Sequence, residues 1–189
     1  MKIIKGNSRI VIIFRFFVVK FPRVRSRSGF RTLYSHLKKG CLLKHLKEYN
    51  HEYYGSVRRF FFNGIISNWV EFVFYRENKH LLLLAPVYLS FFGLLNVQKY
   101  YKPIEINEVN LWCQFIDLTD VGIFKHSHTF GNPKNFGYDN GKLKILDYGS
   151  KRVQEFLIEY SEIIYSGFKF SYSRFERLEQ IEAKIRKKK

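Results

Sequence analysis

The sequence predicts an α+β fold divided into two lobes, and three observations support this assignment. Short runs rich in Ile, Val and Phe alternate with longer segments whose apolar residues recur at helical spacing. The 189-residue chain is 46% hydrophobic, which suffices for one sizeable core or for a small lobe and a larger one. Lys99 to Pro103 lies between two groups of elements and is the best candidate for a connector. We therefore expect an N-terminal lobe over residues 1–102 and a C-terminal lobe over residues 103–189.

The N-terminal lobe is expected to begin with strands. Residues Arg9 to Lys20 are dominated by Ile, Val and Phe and precede Pro22, which cannot continue a strand ladder. They predict one or two strands in which Lys20 is the last polar residue. Leucines at helical intervals then predict an inserted helix from Phe30 to Tyr49, in which Gly40 is an unfavourable residue.

A second helix and two strands complete the expected N-terminal lobe. Aromatic and branched residues from about Ser56 to Glu77 recur near i, i+3 and i+4, so we expect a helix with Glu71 in its later turns. From His80 to Lys102 the pattern changes to short apolar runs broken by proline, glycine and asparagine. This change predicts two adjacent strands.

The C-terminal lobe is expected to be short and mainly helical. A helix is expected from Asn107 to Phe124, with four residues facing a core: Val109, Trp112, Cys113 and Ile116. A loop rich in His, Gly and Asn follows from Lys125 to Lys134, and further helical patterns lie at Arg152 to Tyr165 and at Tyr172 to Lys189. Polar loops held by rigid neighbours are common places for binding sites.

The segment from Asn135 to Gly149, which follows this loop, is the most informative part of the chain. Asn140-Gly141 is the dipeptide that accepts positive φ at both central positions of a tight turn, and apolar residues alternate with lysines from Lys142 to Ile145. These features predict a hairpin that holds Asn135 at one end and Asp147 at the other. Mg²⁺ takes one or two protein carboxylates together with phosphate oxygens and water, so the hairpin is a candidate metal-binding element.

The charge of the chain indicates an anionic partner but does not identify its kind. The net charge of +17, from 33 basic and 16 acidic residues, suits a nucleotide, nucleic acid, an acidic membrane surface or an acidic protein. Cys41 and Cys113 lie far apart and suggest neither a disulfide framework nor a zinc site, so a cytoplasmic location is expected. The longest apolar run, Leu81 to Leu95, is too short and too interrupted to predict a membrane span.

The order of these elements and motifs resembles a reduced protein kinase. In that family a strand lysine follows a Val-Ala-Ile-Lys pattern, to which Val18-Val19-Lys20 is similar. The catalytic loop of the family has the form His-x-Asp-x-x-x-x-Asn, which His128 and Asn135 match at its ends. Its Asp-Phe-Gly motif has a counterpart in Asp147-Tyr148-Gly149. The resemblance covers about residues 9–165.

The resemblance implies a two-lobed protein-kinase-like fold, with a reduced sheet-bearing N-terminal lobe and a short helical C-terminal lobe, that binds Mg-ATP. By this comparison Lys20 and Gly149 contact the nucleotide, and Glu71 orients Lys20. Asn135 and Asp147 are the implied Mg²⁺ ligands. Lys20, Glu71 and Asp147 form the implied catalytic set for transfer of the ATP γ-phosphate to a protein hydroxyl, as in serine/threonine kinases.

Three departures from the family pattern make a pseudokinase the alternative to an active enzyme. Gly6 is the only glycine before Lys20, so the glycine-rich loop that normally covers the phosphates is missing. The segment between Lys20 and Glu71 is unusually long, which leaves Glu77 as a competing partner for the lysine. Phe130 occupies the position of the catalytic aspartate and cannot accept a proton. Four residues remain as candidate substitutes for that base: Asp117, Asp120, His126 and His128.

Composition supports a second interpretation, a small basic nucleic-acid-binding or ribosome-associated protein. The region from Arg23 to Lys47 concentrates arginines and lysines, and tyrosines such as Tyr34 and Tyr49 lie in or beside it. Aromatic rings among cations are suited to stacking on the bases of a single strand. No RNP, KH, zinc-knuckle or helix-turn-helix signature accompanies them.

Overall fold

The structure, a computed structural model, describes residues 1–6, 8–24, 26–41, 57–120 and 130–172. These residues form two compact units. The first unit contains the described residues up to Glu77 together with Pro86–Tyr100. The second contains Asn78–Ala85 and the described residues from Tyr101 onward. The predicted α+β class is confirmed, since antiparallel sheets and α-helices occur together.

An antiparallel sheet of five strands forms the base of the first unit. The strands are β1 Lys2–Lys5, β2 Arg9–Ile13, β3 Phe17–Pro22, β4 Val87–Phe91 and β5 Leu95–Lys99. Their order across the sheet is β1-β2-β3-β5-β4. Where one or two strands were predicted in residues 9–20 there are two, β2 and β3, and the two strands predicted in residues 80–102 are also present. The sequence analysis missed β1. Its four residues, Lys-Ile-Ile-Lys, do not alternate between apolar and polar, and all four are exposed in the structure.

Between β3 and β4, the described residues form the helices α1 Ser26–Lys38 and α2 Val57–Glu77. The start of the helix predicted from Phe30 to Tyr49 lies in α1, which ends before Gly40, a glycine with a φ of 66°. The remainder of that prediction falls on residues 42–56, outside the described part of the chain. The bounds of α2 agree with the helix predicted from Ser56 to Glu77.

The most deeply buried stripe of α2 contains two polar residues, although apolar spacing predicted this helix. Gly64, Asn68, Glu71 and Phe74 follow one another at helical intervals, and all four are buried. Trp69, which belongs to the apolar pattern, is 42% exposed. The apolar pattern thus predicted the helix correctly but did not identify which of its faces is innermost.

Gly64 explains how α2 comes so close to the sheet. A Cβ atom at this position would lie 2.3 Å from the carbonyl oxygen of Ser8 and 2.7 Å from the Cα atom of Pro22. Any side chain larger than hydrogen would collide with backbone atoms there. The close approach brings the polar stripe of α2 within hydrogen-bonding distance of β3.

The described residues of the second unit form a small sheet and two helices. The antiparallel strands, in their order across the sheet, are β6 Lys102–Pro103, β7 Phe136–Asp139 and β8 Lys142–Ile145, and the helices are α3 Glu108–Thr119 and α4 Lys151–Gly167. The predicted hairpin is present: Asn140 and Gly141 join β7 to β8 with φ of 48° and 72°. The helix predicted from Tyr172 to Lys189 falls almost wholly on residues 173–189, outside the described part.

The core-facing side of α3 differs from the prediction. The buried residues of this helix are Leu111, Gln114, Phe115 and Thr119. Val109, which was expected to face the core, is 50% exposed, and the other three predicted residues are only half-buried. The buried residues lie two or three positions after the predicted ones, so the prediction placed the core on the wrong side of α3. The reason is that apolar residues recur at helical spacing on more than one face of this helix.

None of the helices in the described ranges has both the length and the apolar character that crossing a bilayer requires.

Candidate nucleotide-binding site

Lys20 and Glu71 form a buried ion pair in the first unit. The ammonium nitrogen of Lys20 lies 2.9 Å from Oε2 of Glu71, and the two side chains are 6% and 0% exposed. Strand β3 directs Lys20 toward α2, and the innermost stripe of α2 supplies Glu71. Lys20 is therefore not a solvated strand residue. Glu77, the competing candidate in the sequence, is exposed at the last position of α2.

Arg9 joins this pair, although the sequence analysis did not single it out. Its Nη1 atom also lies 2.9 Å from Oε2 of Glu71. Val11 pairs with Lys20 across β2 and β3, so Arg9, two residues before Val11, projects from the same face of the sheet as the lysine. One carboxylate oxygen of Glu71 therefore contacts two cations.

Two buried asparagines surround the ion pairs. Asn68 donates through Nδ2 to the carbonyl oxygens of Lys20 and Gly93, at 3.1 Å and 2.9 Å, and its Oδ1 accepts a hydrogen bond of 3.4 Å from Arg9. Asn96 lies opposite Lys20 in the pairing of β3 with β5 and donates to the carbonyl oxygen of Asn68 at 2.7 Å. Oδ1 of Asn96 is buried and has no hydrogen-bond partner within the described ranges.

The sequence contains a signal for two residues of this buried polar cluster, Asn68 and Glu71. Asn68 and Glu71 are spaced i, i+3 within an otherwise aromatic and branched stretch, so they share one helix face. Polar residues are rarely buried without partners, which makes such a pair a candidate for a buried polar network. Arg9 has no comparable signal, because an arginine at the start of a strand usually faces solvent.

The second unit brings Asn135 and Asp147 close along the backbone. Asn135 ends a short 3₁₀ turn, Pro133–Asn135, which the side chain of Asn132 caps by accepting a hydrogen bond from the Lys134 backbone. The carbonyl oxygen of Asn135 accepts a 2.7 Å hydrogen bond from the backbone N–H of Leu146. Because Leu146 immediately precedes Asp147, the two predicted metal ligands lie at adjoining positions.

The backbone around Asp147 is held on both sides. Tyr148 is fully buried, and its hydroxyl donates to the carbonyl oxygen of Ala85 at 2.6 Å. Gln154 donates from its side chain to the carbonyl oxygen of Tyr148 at 3.0 Å. Gly149 follows and leads through Ser150 into α4. Asn135, Asp147 and Gly149 are all half-buried, so each retains some access to solvent.

Phe130 has a packing role. It is fully buried, and its ring centroid lies 5.6 Å from Phe115, 6.1 Å from Phe136 and 4.4 Å from Phe156. Three other aromatic rings thus surround the position that the resemblance assigns to the catalytic aspartate. An ionised carboxylate there would be desolvated without a partner, which is strongly unfavourable.

The structure describes two of the four candidate substitutes for the missing base, Asp117 and Asp120. Asp117 accepts a 2.8 Å hydrogen bond from the hydroxyl of Tyr172. Asp120 caps the C-terminus of α3 with a φ of 45°. His126 and His128 lie outside the described residues. Neither of these two contacts identifies the aspartate concerned as a base.

The donor set of the second unit fits magnesium better than a metal that needs many protein ligands. Within the described ranges no three His, Cys, Asp or Glu residues come together as a metal-binding group. Asp147 supplies one carboxylate and Asn135 one amide. Mg²⁺ is commonly held by one or two carboxylates while phosphate oxygens and water complete its coordination.

Comparisons with protein-family models, with curated proteins and with solved structures give no match for this chain.

Proposed function

We propose that this protein is a protein-kinase-like domain that binds Mg-ATP, and the observation that carries the proposal is the buried Lys20–Glu71 pair. In protein kinases, a strand lysine that pairs with a helix glutamate contacts the nucleotide phosphates. Here the two charged groups lie 2.9 Å apart and are almost completely buried. Since a hydrophobic pair of similar volume is often at least as stabilising, burial of such a pair favours a functional explanation.

The order of elements along the chain supports the same proposal. Strand β3 carries Lys20, α2 carries Glu71, and the two strands β4 and β5 follow. Helix α3, Asn135, the hairpin of β7 and β8, and Asp147 then come in the order that the resemblance requires. In the proposed roles, Lys20 holds phosphates, Glu71 orients Lys20, Asn135 and Asp147 hold Mg²⁺, and Gly149 lies beside the nucleotide.

Phe130 favours nucleotide binding without efficient catalysis. Phosphoryl transfer depends mainly on positioning and on stabilisation of charge, so the lysine and the metal could still assist it. Transfer to a protein hydroxyl also uses a base to orient that hydroxyl, and a buried phenylalanine cannot do so. We therefore propose a pseudokinase that retains Mg-ATP binding.

Thermal unfolding with and without nucleotide tests the metal role. At a ligand concentration about 100 times the Kd, binding stabilises a protein by about 2.7 kcal/mol, or roughly 5–10 °C for a chain of this size. We expect Mg-ATP to produce such a shift in the wild type and not in Asp147→Asn. Asp139→Asn, a change in the same hairpin, serves as the matched control and should behave like the wild type.

Each alternative outcome has a distinct meaning. No shift in the wild type would overturn nucleotide binding. Equal shifts in the wild type and Asp147→Asn would remove the metal role from Asp147. Phosphate transfer from radiolabelled ATP to the protein or to a generic substrate, abolished by Asp147→Asn, would replace the pseudokinase with an active enzyme.

A second candidate, binding of single-stranded nucleic acid, is favoured by the surface of α1. Phe30 and Tyr34 lie one helical turn apart and are 60% and 70% exposed. Arg31 and Lys38 are exposed on the same helix. Exposed rings beside cations suit base stacking combined with phosphate contacts. The response to salt separates this function from Mg-ATP binding.

A further inference from the structure

Four aromatic rings and a cation are in contact along α2 and the turn between β4 and β5. The guanidinium carbon of Arg76 lies 5.8 Å from the ring centroid of Phe72, which in turn lies 5.8 Å from that of Trp69. Phe92 stacks on Trp69 at 6.3 Å, and Phe91 meets Phe92 edge to face at 5.3 Å. Phe92 is 72% exposed, Phe91 58% and Trp69 42%. We term these five residues the aromatic row.

Phe92 is held in an unfavourable backbone conformation. Its φ of 47° lies in the left-handed region, which a bulky residue rarely adopts. Gly93 fixes the turn, because its carbonyl oxygen accepts a 2.9 Å hydrogen bond from Asn68 and an added Cβ would lie 2.2 Å from the carbonyl oxygen of Ile65. Asparagine adopts such a φ more readily, as Asn140 does in the β7–β8 turn. An exposed phenylalanine in this conformation contributes little to folding, so a binding role explains it better.

Other apolar side chains extend the aromatic row. Phe62, 52% exposed, lies two helical turns before Trp69 and shares its face of α2. Leu94 directly follows the β4–β5 turn and is 47% exposed. A leucine side chain cannot stack on a nucleic-acid base as a ring does. The ring planes of Trp69 and Phe92 are 16° apart, so one face of each ring is turned toward the other. This surface therefore suits hydrocarbon better than bases.

The exposed charge of the first unit is almost entirely positive. Among its described residues, Glu77 is the only exposed carboxylate. Exposed basic residues of the same unit include Lys2, Lys5, Arg31 and Lys38, in addition to Arg76. Such residues are attracted to anionic lipid headgroups, while tryptophan, phenylalanine and leucine are stable at the boundary between headgroups and acyl chains. The aromatic row and the charge around it thus complement a membrane surface that contains anionic lipids.

We infer that the aromatic row, together with Phe62 and Leu94, docks the first unit on a membrane surface rich in anionic lipids. The rings of Trp69, Phe91 and Phe92 enter the upper acyl region, and Arg76 meets the headgroup phosphates. Docking of this kind needs no membrane-spanning helix. The inference goes beyond the proposed function and does not depend on it, since none of these residues belongs to the candidate nucleotide-binding site.

Co-sedimentation of the full chain with lipid vesicles tests this inference. Vesicles of phosphatidylcholine with about 30% phosphatidylserine should bind the wild type roughly tenfold or more tightly than vesicles of phosphatidylcholine alone. Phe92→Asn removes the exposed ring and suits the φ of the turn, so it should keep the fold and weaken binding to the anionic vesicles by roughly tenfold.

Phe16→Asn is the matched control. Phe16 is 70% exposed and directly precedes β3. Phe17 pairs with Lys99, whereas Phe91 pairs with Leu95, so Phe16 and the β4–β5 turn lie at opposite ends of β5. Phe16→Asn should therefore bind anionic vesicles like the wild type. An equal loss of binding in Phe16→Asn and Phe92→Asn would overturn the assignment of docking to the aromatic row.

Tryptophan fluorescence measures contact with the acyl chains directly. The chain has two tryptophans, so Trp112→Phe leaves Trp69 as the single reporter. Brominated acyl chains should quench Trp69, and quench it less when Phe92→Asn is added. Binding without quenching, equal binding by wild type and Phe92→Asn, or no binding to either vesicle would contradict the inference. Binding of a single-stranded oligouridine that Phe92→Asn abolishes, without vesicle binding, would instead make the aromatic row a base-stacking surface.

Discussion

Glu71 contacts two buried cations, Arg9 and Lys20, and the consequences of its loss differ from those of losing either cation. Glu71→Gln leaves Arg9 and Lys20 buried without their shared carboxylate. Breaking a buried pair in this way costs about 3–5 kcal/mol. Lys20→Met and Arg9→Met each leave Glu71 in contact with the other cation, so we expect a smaller loss of unfolding free energy from either change.

Urea unfolding of the three variants measures this order, with the exposed Glu77→Gln as control. A control change at such a surface site should alter the unfolding free energy by less than about 0.5 kcal/mol. If Lys20→Met destabilised the protein as much as Glu71→Gln, the shared contact with Arg9 would not compensate for the lysine. That result would contradict the arrangement described here.

The residues of this cluster also show what a single sequence can and cannot predict. Lys20 and Glu71 were found through motif order, because a strand lysine followed by a helix glutamate fits a known pattern. Arg9 and Asn96 were missed, because one polar residue in a strand gives no periodic signal. Their importance arises from strand pairing, which brings positions far apart in the chain onto one face of a sheet.

Glycine has opposite consequences in two of the helices. Gly64 in the middle of α2 costs helix stability relative to alanine, by about 0.5–1 kcal/mol. An added Cβ would nevertheless meet backbone atoms of Ser8 and Pro22 at 2.3 Å and 2.7 Å, and backbone cannot move aside easily. At Gly167, the last residue of α4, the closest atom to an added Cβ is Cδ2 of Leu118 at 2.6 Å, which belongs to a flexible side chain.

We therefore expect Gly64→Ala to destabilise the protein by about 1–3 kcal/mol in spite of alanine's better helix propensity. Gly167→Ala, the matched variant, should change the unfolding free energy by less than about 1 kcal/mol, since the leucine can change rotamer. Thermal and urea unfolding measure both values. Stabilisation by Gly64→Ala would show that α2 does not approach the sheet as closely as described.

Two of the hairpin turns, β7–β8 and β4–β5, show why local sequence predicted one element better than another. Asn140-Gly141 has φ of 48° and 72°, and Phe92-Gly93 has nearly the same values, 47° and 75°. Asparagine is common in this conformation, whereas a bulky residue there is unusual. The first turn could therefore be predicted from its dipeptide. In the second, Phe92 stacks against Trp69 with ring centroids 6.3 Å apart, a long-range contact that sequence spacing does not reveal.

At the scale of the whole molecule, most of the positive charge that gives a net value of +17 differs in environment from the few buried charges that could select a ligand. Exposed lysines and arginines attract any polyanion, and salt screens that attraction over about 10 Å at 0.1 M. Lys20 and Arg9 are 5% and 8% exposed, so salt screens them much less. The two candidate functions therefore depend on different basic residues: nucleic-acid binding on the exposed ones and nucleotide binding on the buried ones.

Raising the salt concentration therefore discriminates between them. Binding of single-stranded RNA through exposed cations should fall steeply, with log K linear in log salt and a slope of about −0.7 per phosphate contact. The stabilisation by Mg-ATP should persist to about 0.5 M salt, where screening extends over only a few ångströms. Filter binding and thermal unfolding across one salt series give both curves.

RNA binding that resists salt and depends on Lys20, with no Mg-ATP shift at any salt, would favour nucleic acid as the ligand of the buried cluster. A steep loss of RNA binding, reduced further by Arg23→Gln and Arg31→Gln while the nucleotide shift remains, would assign the exposed charge to non-specific attraction and the buried charge to nucleotide recognition.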